Sequence, residues 1–268
     1  VFYGVFLVVT LAAESQFSLV GEIEVQKALV GRGKRLPTFC IVVPVFNQER
    51  KVEQALQRLV VHLSGLDTKT AIFAVDDGST DNTQAALRNV AAANPLIKIV
   101  NCRHDGYGAA NRAGFRAAID CGFDYVLVMD VDSTPDANFI EQFFRPMMLS
   151  FDFIKASRYS QHSRIEGGAA LSIWLSDLAN RVAGYILRLP ITDYTTDCRA
   201  IKSTLLARMM TEESGFGILM EELVQARRLG AKFYEVPFVG ALNYEKRISI
   251  VAGLAGLGSF LKQLFSSR

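Results

Sequence analysis

From Phe39 onward the chain repeats one unit: a short β-rich apolar run, a polar turn, then a stretch with apolar residues at helical spacing. The predicted strands are 39–45, 71–75, 97–101, 125–129 and 153–156, and the predicted helices between them are 48–63, 82–93, 108–121 and 137–149. Runs that are apolar throughout are covered on both faces, and each crossover has room for one helix. This dictates an α/β fold with a doubly wound, mostly parallel sheet. Beyond Tyr159 the pattern turns helical at 171–189, 203–213 and 219–229, a helical C-terminal extension, before a last strand at 232–236. In such sheets the ligand lies beyond the carboxyl ends of the strands.

Composition narrows the function classes. Half of the residues are hydrophobic and 21% are charged, which excludes a disordered chain. The 29 basic and 27 acidic residues leave a net charge of +2, so no global field draws the chain to nucleic acid. The four cysteines, Cys40, Cys102, Cys121 and Cys198, never form a C-x-x-C pair and fit a reducing compartment. His62, His104 and His162 are scattered and read as surface or packing residues.

Two strand ends carry paired acids. The second predicted strand runs into Asp76-Asp77-Gly78-Ser79-Thr80-Asp81-Asn82-Thr83. Capping the next helix needs one acid, and two adjacent carboxylates repel unless they meet N–H donors or a cation. The fourth predicted strand ends in Asp130-Val131-Asp132. Carboxylates at i and i+2 there can converge on one hard divalent ion, Mg2+ or Mn2+, whose shell phosphate oxygens complete. The first predicted strand ends in Val43-Pro44-Val45-Phe46-Asn47-Gln48-Glu49, where Pro44 is expected to end ladder pairing and Asn47 and Glu49 to project polar groups.

Taken in order, these segments with Gly106-Tyr107-Gly108 resemble the inverting family-2 glycosyltransferases with the GT-A fold. The likeness covers about 38–247. It continues in Ala156-Ser157-Arg158-Tyr159, in Asp193-Tyr194-Thr195-Thr196-Asp197-Cys198-Arg199, and in Gly215-Phe216-Gly217 with Glu221, which are similar to the polyprenyl (dolichyl) phosphate branch. The resemblance implies a UDP- or GDP-linked sugar donor held by Pro44, Asn47, Glu49, Asp76 and Asp77 near the Gly106–Gly108 loop. It implies a metal and sugar diphosphate on Asp130 and Asp132, and a polyprenyl phosphate acceptor on Arg158 and Arg199. Glu221 is the general base if the acceptor is a hydroxyl, and otherwise an acid that orders the site. Leu219 stands where the branch has a second acid and Asp177 where it has an arginine.

The ends of the chain suggest a membrane surface. Residues 1–13 are apolar, short of the ~20 residues a spanning helix needs, and read as the remnant of an anchor. The basic linker ending Gly31-Arg32-Gly33-Lys34-Arg35-Leu36-Pro37 suits an anionic cytoplasmic face. Residues 248–268 form an apolar, amphipathic end. The expectation is therefore a segment at 1–37, a catalytic domain at 38–247 facing the cytoplasm, and a membrane-associated tail. Three alternatives stand beside it: transfer to a glycan hydroxyl, a non-catalytic sugar-nucleotide-binding partner, and a dinucleotide-dependent oxidoreductase built on Gly106-Tyr107-Gly108, whose third fingerprint position is Asn111.

Overall fold

The computed structural model describes residues 36–131, 137–160, 162–166 and 170–241. The apolar N-terminal stretch, most of the basic linker, Asp132 and the C-terminal segment lie outside the described residues. The elements run β1 (Phe39–Val45), α1 (Val52–Leu63), β2 (Thr70–Asp76), α2 (Thr83–Ala93), β3 (Ile97–Asn101), α3 (Tyr107–Asp120) and β4 (Tyr125–Val128). A 3₁₀ stretch, Ala137–Phe143, leads into α4 (Phe144–Met148), β5 (Phe153–Ser157), β6 (Arg164–Glu166), α5 (Ala170–Leu187) and β7 (Arg199–Lys202). The last elements are α6 (Ser203–Leu206), α7 (Ile218–Arg228), β8 (Phe233–Pro237) and β9 (Val239–Ala241).

Seven strands form one sheet in the order β3-β2-β1-β4-β7-β5-β8, and β6 pairs with β9 in a separate parallel ribbon. Every residue of β1 and β4 is buried, as central strands covered on both faces require. The stripe Val52, Ala55, Leu56 and Leu63 buries one face of α1. All neighbours in the main sheet are parallel except β7, which runs antiparallel to both β4 and β5. Among the described residues, no helix is long and apolar enough to cross a membrane. The four cysteines are free thiols.

Four expectations need correction. Pro44 does not end the pairing with β2, which continues to Val45↔Asp76. It faces the β4 side, like Val42, whose carbonyl accepts Met129 N–H where that ladder closes, so its missing donor deprives no strand. The helix expected at 137–149 is broken in two: restarting at Phe144 puts Pro146 in the first turn, where its absent N–H interrupts no helical bond. The helix expected at 203–213 ends at Leu206, because side chains of α7 hold the chain that follows as a loop. Strand β7 was not expected, and its insertion between β4 and β5 explains why Arg199 sits inside the sheet rather than on a loop.

Candidate functional site

The carboxyl ends of β1, β2 and β3 converge on one edge of the molecule. Asn47 takes a left-handed φ of 51° directly after β1, which turns its side chain toward the loop that follows β2. Its Oδ1 accepts Thr80 N–H at 2.9 Å, and its own N–H donates to Ser79 Oγ at 3.0 Å. Glu49 accepts Asn82 N–H at 3.0 Å, while Gln48 N–H donates to Thr83 Oγ1 at 2.7 Å. Asn47 and Glu49 therefore bind the two loops to each other, a role that the adjacency of the two motifs did not reveal.

The acid pair of β2 divides its work. Asp76 is buried, and its Oδ1 accepts Ser79 N–H at 3.1 Å; Oδ2 has no hydrogen bond among the described residues. Asp77, also buried, accepts Asp105 N–H at 3.2 Å and pairs with His104 Nδ1 at 3.1 Å. Of the two, Asp76 keeps an oxygen for a ligand.

Gly106, with φ 99°, opens α3, and a Cβ there would lie 2.7 Å from Ser214 O. At Gly108 a Cβ would lie 2.1 Å from Glu213 O, and its N–H donates to Ser214 O at 2.6 Å. The two glycines thus admit the chain's own backbone, and the carbonyl of Ser214 takes an N–H that a dinucleotide fold offers to pyrophosphate. That removes the structural basis of the oxidoreductase alternative. Glu221 anchors the same loop, accepting Glu212 N–H at 3.0 Å and Glu213 N–H at 3.0 Å. Its carboxylate thus ties the start of α7 to that loop.

Asp130 follows β4; the phenol of Tyr107 is pushed up by burial, against the pull of Arg199, with the negative charges of Asp197 and Asp130 adding to the rise. Tyr107 also stacks on Phe216 with ring centroids 4.6 Å apart. Among the described residues no three His, Cys, Asp or Glu side chains cluster as a closed metal cage. A sparse, hard donor set of Asp130 with Asp132 two residues on suits Mg2+ or Mn2+, ions that take most of their shell from phosphate and water oxygens.

The two arginines are held by carboxylates. Arg158 meets Asp193 through Nε to Oδ2 at 2.7 Å and Nη2 to Oδ1 at 2.9 Å, and reaches Thr195 Oγ1 at 2.5 Å. Burial alone would raise the Asp193 carboxyl, but Arg158 holds it below the usual carboxylate range. Arg199 is wholly buried: Nε and Nη2 both engage Glu222, Nη1 donates to Asp197 O at 2.6 Å, and Nη2 reaches Asn111 Oδ1 at 3.3 Å. The expectation that Arg199 meets an acceptor phosphate is therefore corrected: strand β7 buries its fork against Glu222. Lys155, fully buried beside this pair, donates to Thr196 O, and burial together with Arg199 lowers its ammonium to about 8. Glu222 and Lys155 were not singled out from sequence, and Asp193 entered only as part of the Asp193–Arg199 motif. The pairing of Glu222 had one readable sign, since neighbours on a helix diverge by about 100° and Glu221 and Glu222 must serve different partners.

Comparison with known proteins fits this geometry. Residues 40–209 match glycosyl transferase family 2. The chain is 28% identical over 181 residues to an undecaprenyl-phosphate 4-deoxy-4-formamido-L-arabinose transferase of Pseudomonas fluorescens, a match covering 66% of this chain and 51% of that protein. It thus spans about half the length of that relative. With an undecaprenyl-phosphate mannosyltransferase of Micrococcus luteus it shares 26% identity over 208 residues, 73% of this chain and 80% of the other. In structure it is similar to glucosyl-3-phosphoglycerate synthase from Mycobacterium tuberculosis in complex with Mn2+, UDP and phosphoglyceric acid, with a TM-score of 0.66, 18% identity, and coverage of 85% and 78%. The same enzyme with Mg2+ and UDP gives a TM-score of 0.66 at 18% identity, with 91% and 83% covered. The mostly parallel seven-stranded sheet is thus a GT-A fold, and the chain belongs to glycosyl transferase family 2.

Proposed function

We propose that this chain moves a hexose from a UDP- or GDP-linked donor onto a polyprenyl phosphate at a membrane surface, with inversion and with a divalent metal. The observation that carries the donor half is Asp76, a buried carboxylate at a strand end with one oxygen held by Ser79 and the other without a partner among the described residues. Such an oxygen suits a nucleobase N–H. The acceptor half is supported by the two curated relatives, both named for transfer on undecaprenyl phosphate.

In this reading Asp130 and Asp132 hold Mg2+ or Mn2+, and the ion supplies charge neutralisation for the leaving diphosphate. Asn47 and Glu49 keep the base-side loops fixed around Asp76, and the Gly106–Gly108 turn sets the start of α3 against the Ser214 loop. A phosphate acceptor is ionised at neutral pH, so its oxygen attacks the anomeric carbon from the face opposite the leaving group without a strong base. This agrees with Glu221 being committed to loop N–H groups. Arg158, oriented by Asp193, is the acceptor-side candidate.

The test is a panel of nucleotide sugars assayed in detergent against a polyprenyl phosphate, the matching polyprenol and a soluble sugar, with and without EDTA. The expected result is EDTA-sensitive transfer to the phosphate alone. Preference for the alcohol or the sugar rejects the lipid-phosphate acceptor and returns Glu221 to the role of base. Donor binding without any turnover supports a non-catalytic partner.

A further inference from the structure

His104 does not behave as a loose surface residue. Its Nδ1 lies 3.0 Å from Asp77 O and 3.1 Å from Asp77 Oδ2. Both partners are acceptors, so Nδ1 points a hydrogen at them. The ring stacks on Phe46 with centroids 4.2 Å apart and planes 15° from parallel. Its backbone is clamped as well: Gly78, at φ 68°, packs so closely that a Cβ there would lie 3.0 Å from His104 N, and the next residue donates its N–H to Asp77 Oδ1. Yet the side chain is 58% exposed, and Nε2 has no hydrogen bond among the described residues.

A ring held by a buried acid, an aromatic face and a tight turn, with one nitrogen left outward, has the form of a prepared ligand contact. It stands at the end of β3, next to the strand end that carries Asp76. We propose that His104 is a binding residue of the donor pocket, its Nε2 accepting a hydrogen bond from the nucleoside part of a nucleoside-diphosphate sugar. Asp77 then acts on the ligand through His104, while Asp76 acts directly. The inference rests on the donor reading above and adds to it a residue that holds the nucleoside.

The experiment is calorimetric titration of UDP and of GDP, in Mn2+, into the wild-type chain and into His104→Phe, His104→Gln and His104→Ala. The Phe variant keeps a ring for the Phe46 stack and removes the nitrogen. It is expected to weaken the preferred nucleotide about tenfold, with Ala as weak or weaker and Gln partly restored. The ligand-free melting temperature of the Phe variant should stay near that of the wild type, which separates lost contact from lost fold. Wild-type affinity in His104→Phe overturns the inference while leaving the donor reading intact. A wild-type chain that binds neither nucleotide overturns both. Repeating the titration with inorganic pyrophosphate locates the contact: a loss of the same size there would move it from nucleoside to diphosphate and reject the proposal as stated.

Discussion

The two halves of the sheet use charge in opposite ways. At the ends of β1, β2 and β3 the polar side chains tie loop to loop and leave Asp76 Oδ2 and His104 Nε2 without partners among the described residues. Around β5, β7 and α7 the ionised groups neutralise one another: Arg158 on Asp193, Arg199 on Glu222, and Lys155 among them. The lesson is that a wholly buried arginine whose counter-charge the fold already supplies, as Glu222 does for Arg199, is not a ligand group, whereas Arg158 keeps a little exposure beside its acid. Where buried charges are paired in this way, removing one partner leaves the other desolvated and harms stability, whereas removing a ligand-facing group at the other edge harms binding.

The largest expected effect comes from breaking the closed half. Glu222→Gln leaves the Arg199 guanidinium buried without a counter-ion and should destabilise the chain by about 3–5 kcal/mol in urea unfolding. Replacing both residues by apolar ones of similar volume should recover much of that loss, and equal instability of the single and double variants would reject the pairing argument. On the open half, Asp130→Asn should lower turnover roughly 100-fold, about 2.7 kcal/mol of transition-state stabilisation, with circular dichroism unchanged. Near-normal activity in saturating Mn2+ would remove Asp130 from the metal site.

Lys155 sharpens the contrast through pH. Its folded value of about 8 lies below its ordinary value of 10.5, so the unfolded chain binds more protons between those limits and stability rises with pH there. The wild type should therefore gain on the order of 2 kcal/mol over Lys155→Met between pH 8 and 10.5. A difference that is flat across this window would mean the ammonium is not desolvated. The smallest effect is Asp76→Ala, expected to raise the donor Kd about tenfold with little change in melting temperature. Unchanged calorimetry in that variant would transfer the base contact to His104 alone.

The parallel half of the fold was readable because its strands are continuous apolar runs separated by polar turns. Strand 39–45 and strand 97–101 were found to the residue. Strand β7 was not, since four residues reading Arg-Ala-Ile-Lys carry too little pattern and owe their conformation to β4 and β5 on either side. The same holds for the site. Asp76 and Asp130 stood out as candidates because acids at strand ends are costly without a purpose. The burial of Arg199 was not, because it depends on a helix residue 23 positions later. His104 was passed over for a related reason: a single histidine in a polar loop becomes informative only when Asp77 and Phe46 are seen to grip it.

The antiparallel insertion of β7 also sets an order of assembly. Strands β3, β2, β1 and β4 neighbour one another and are complete once Val128 has been made, so four of the seven strands can pair while the rest is still being synthesised. β5 has no such option. Both of its neighbours, β7 and β8, lie later in the chain, and at about 5–20 residues per second it waits several seconds for its first partner. During that interval the apolar strand Phe153–Ser157 and the far edge of β4 are the exposed, unpaired surfaces of the nascent chain. The growing chain thus has one flank whose strands are all made and one whose strands still lack partners, and unpaired strand edges are the surfaces open to mispairing.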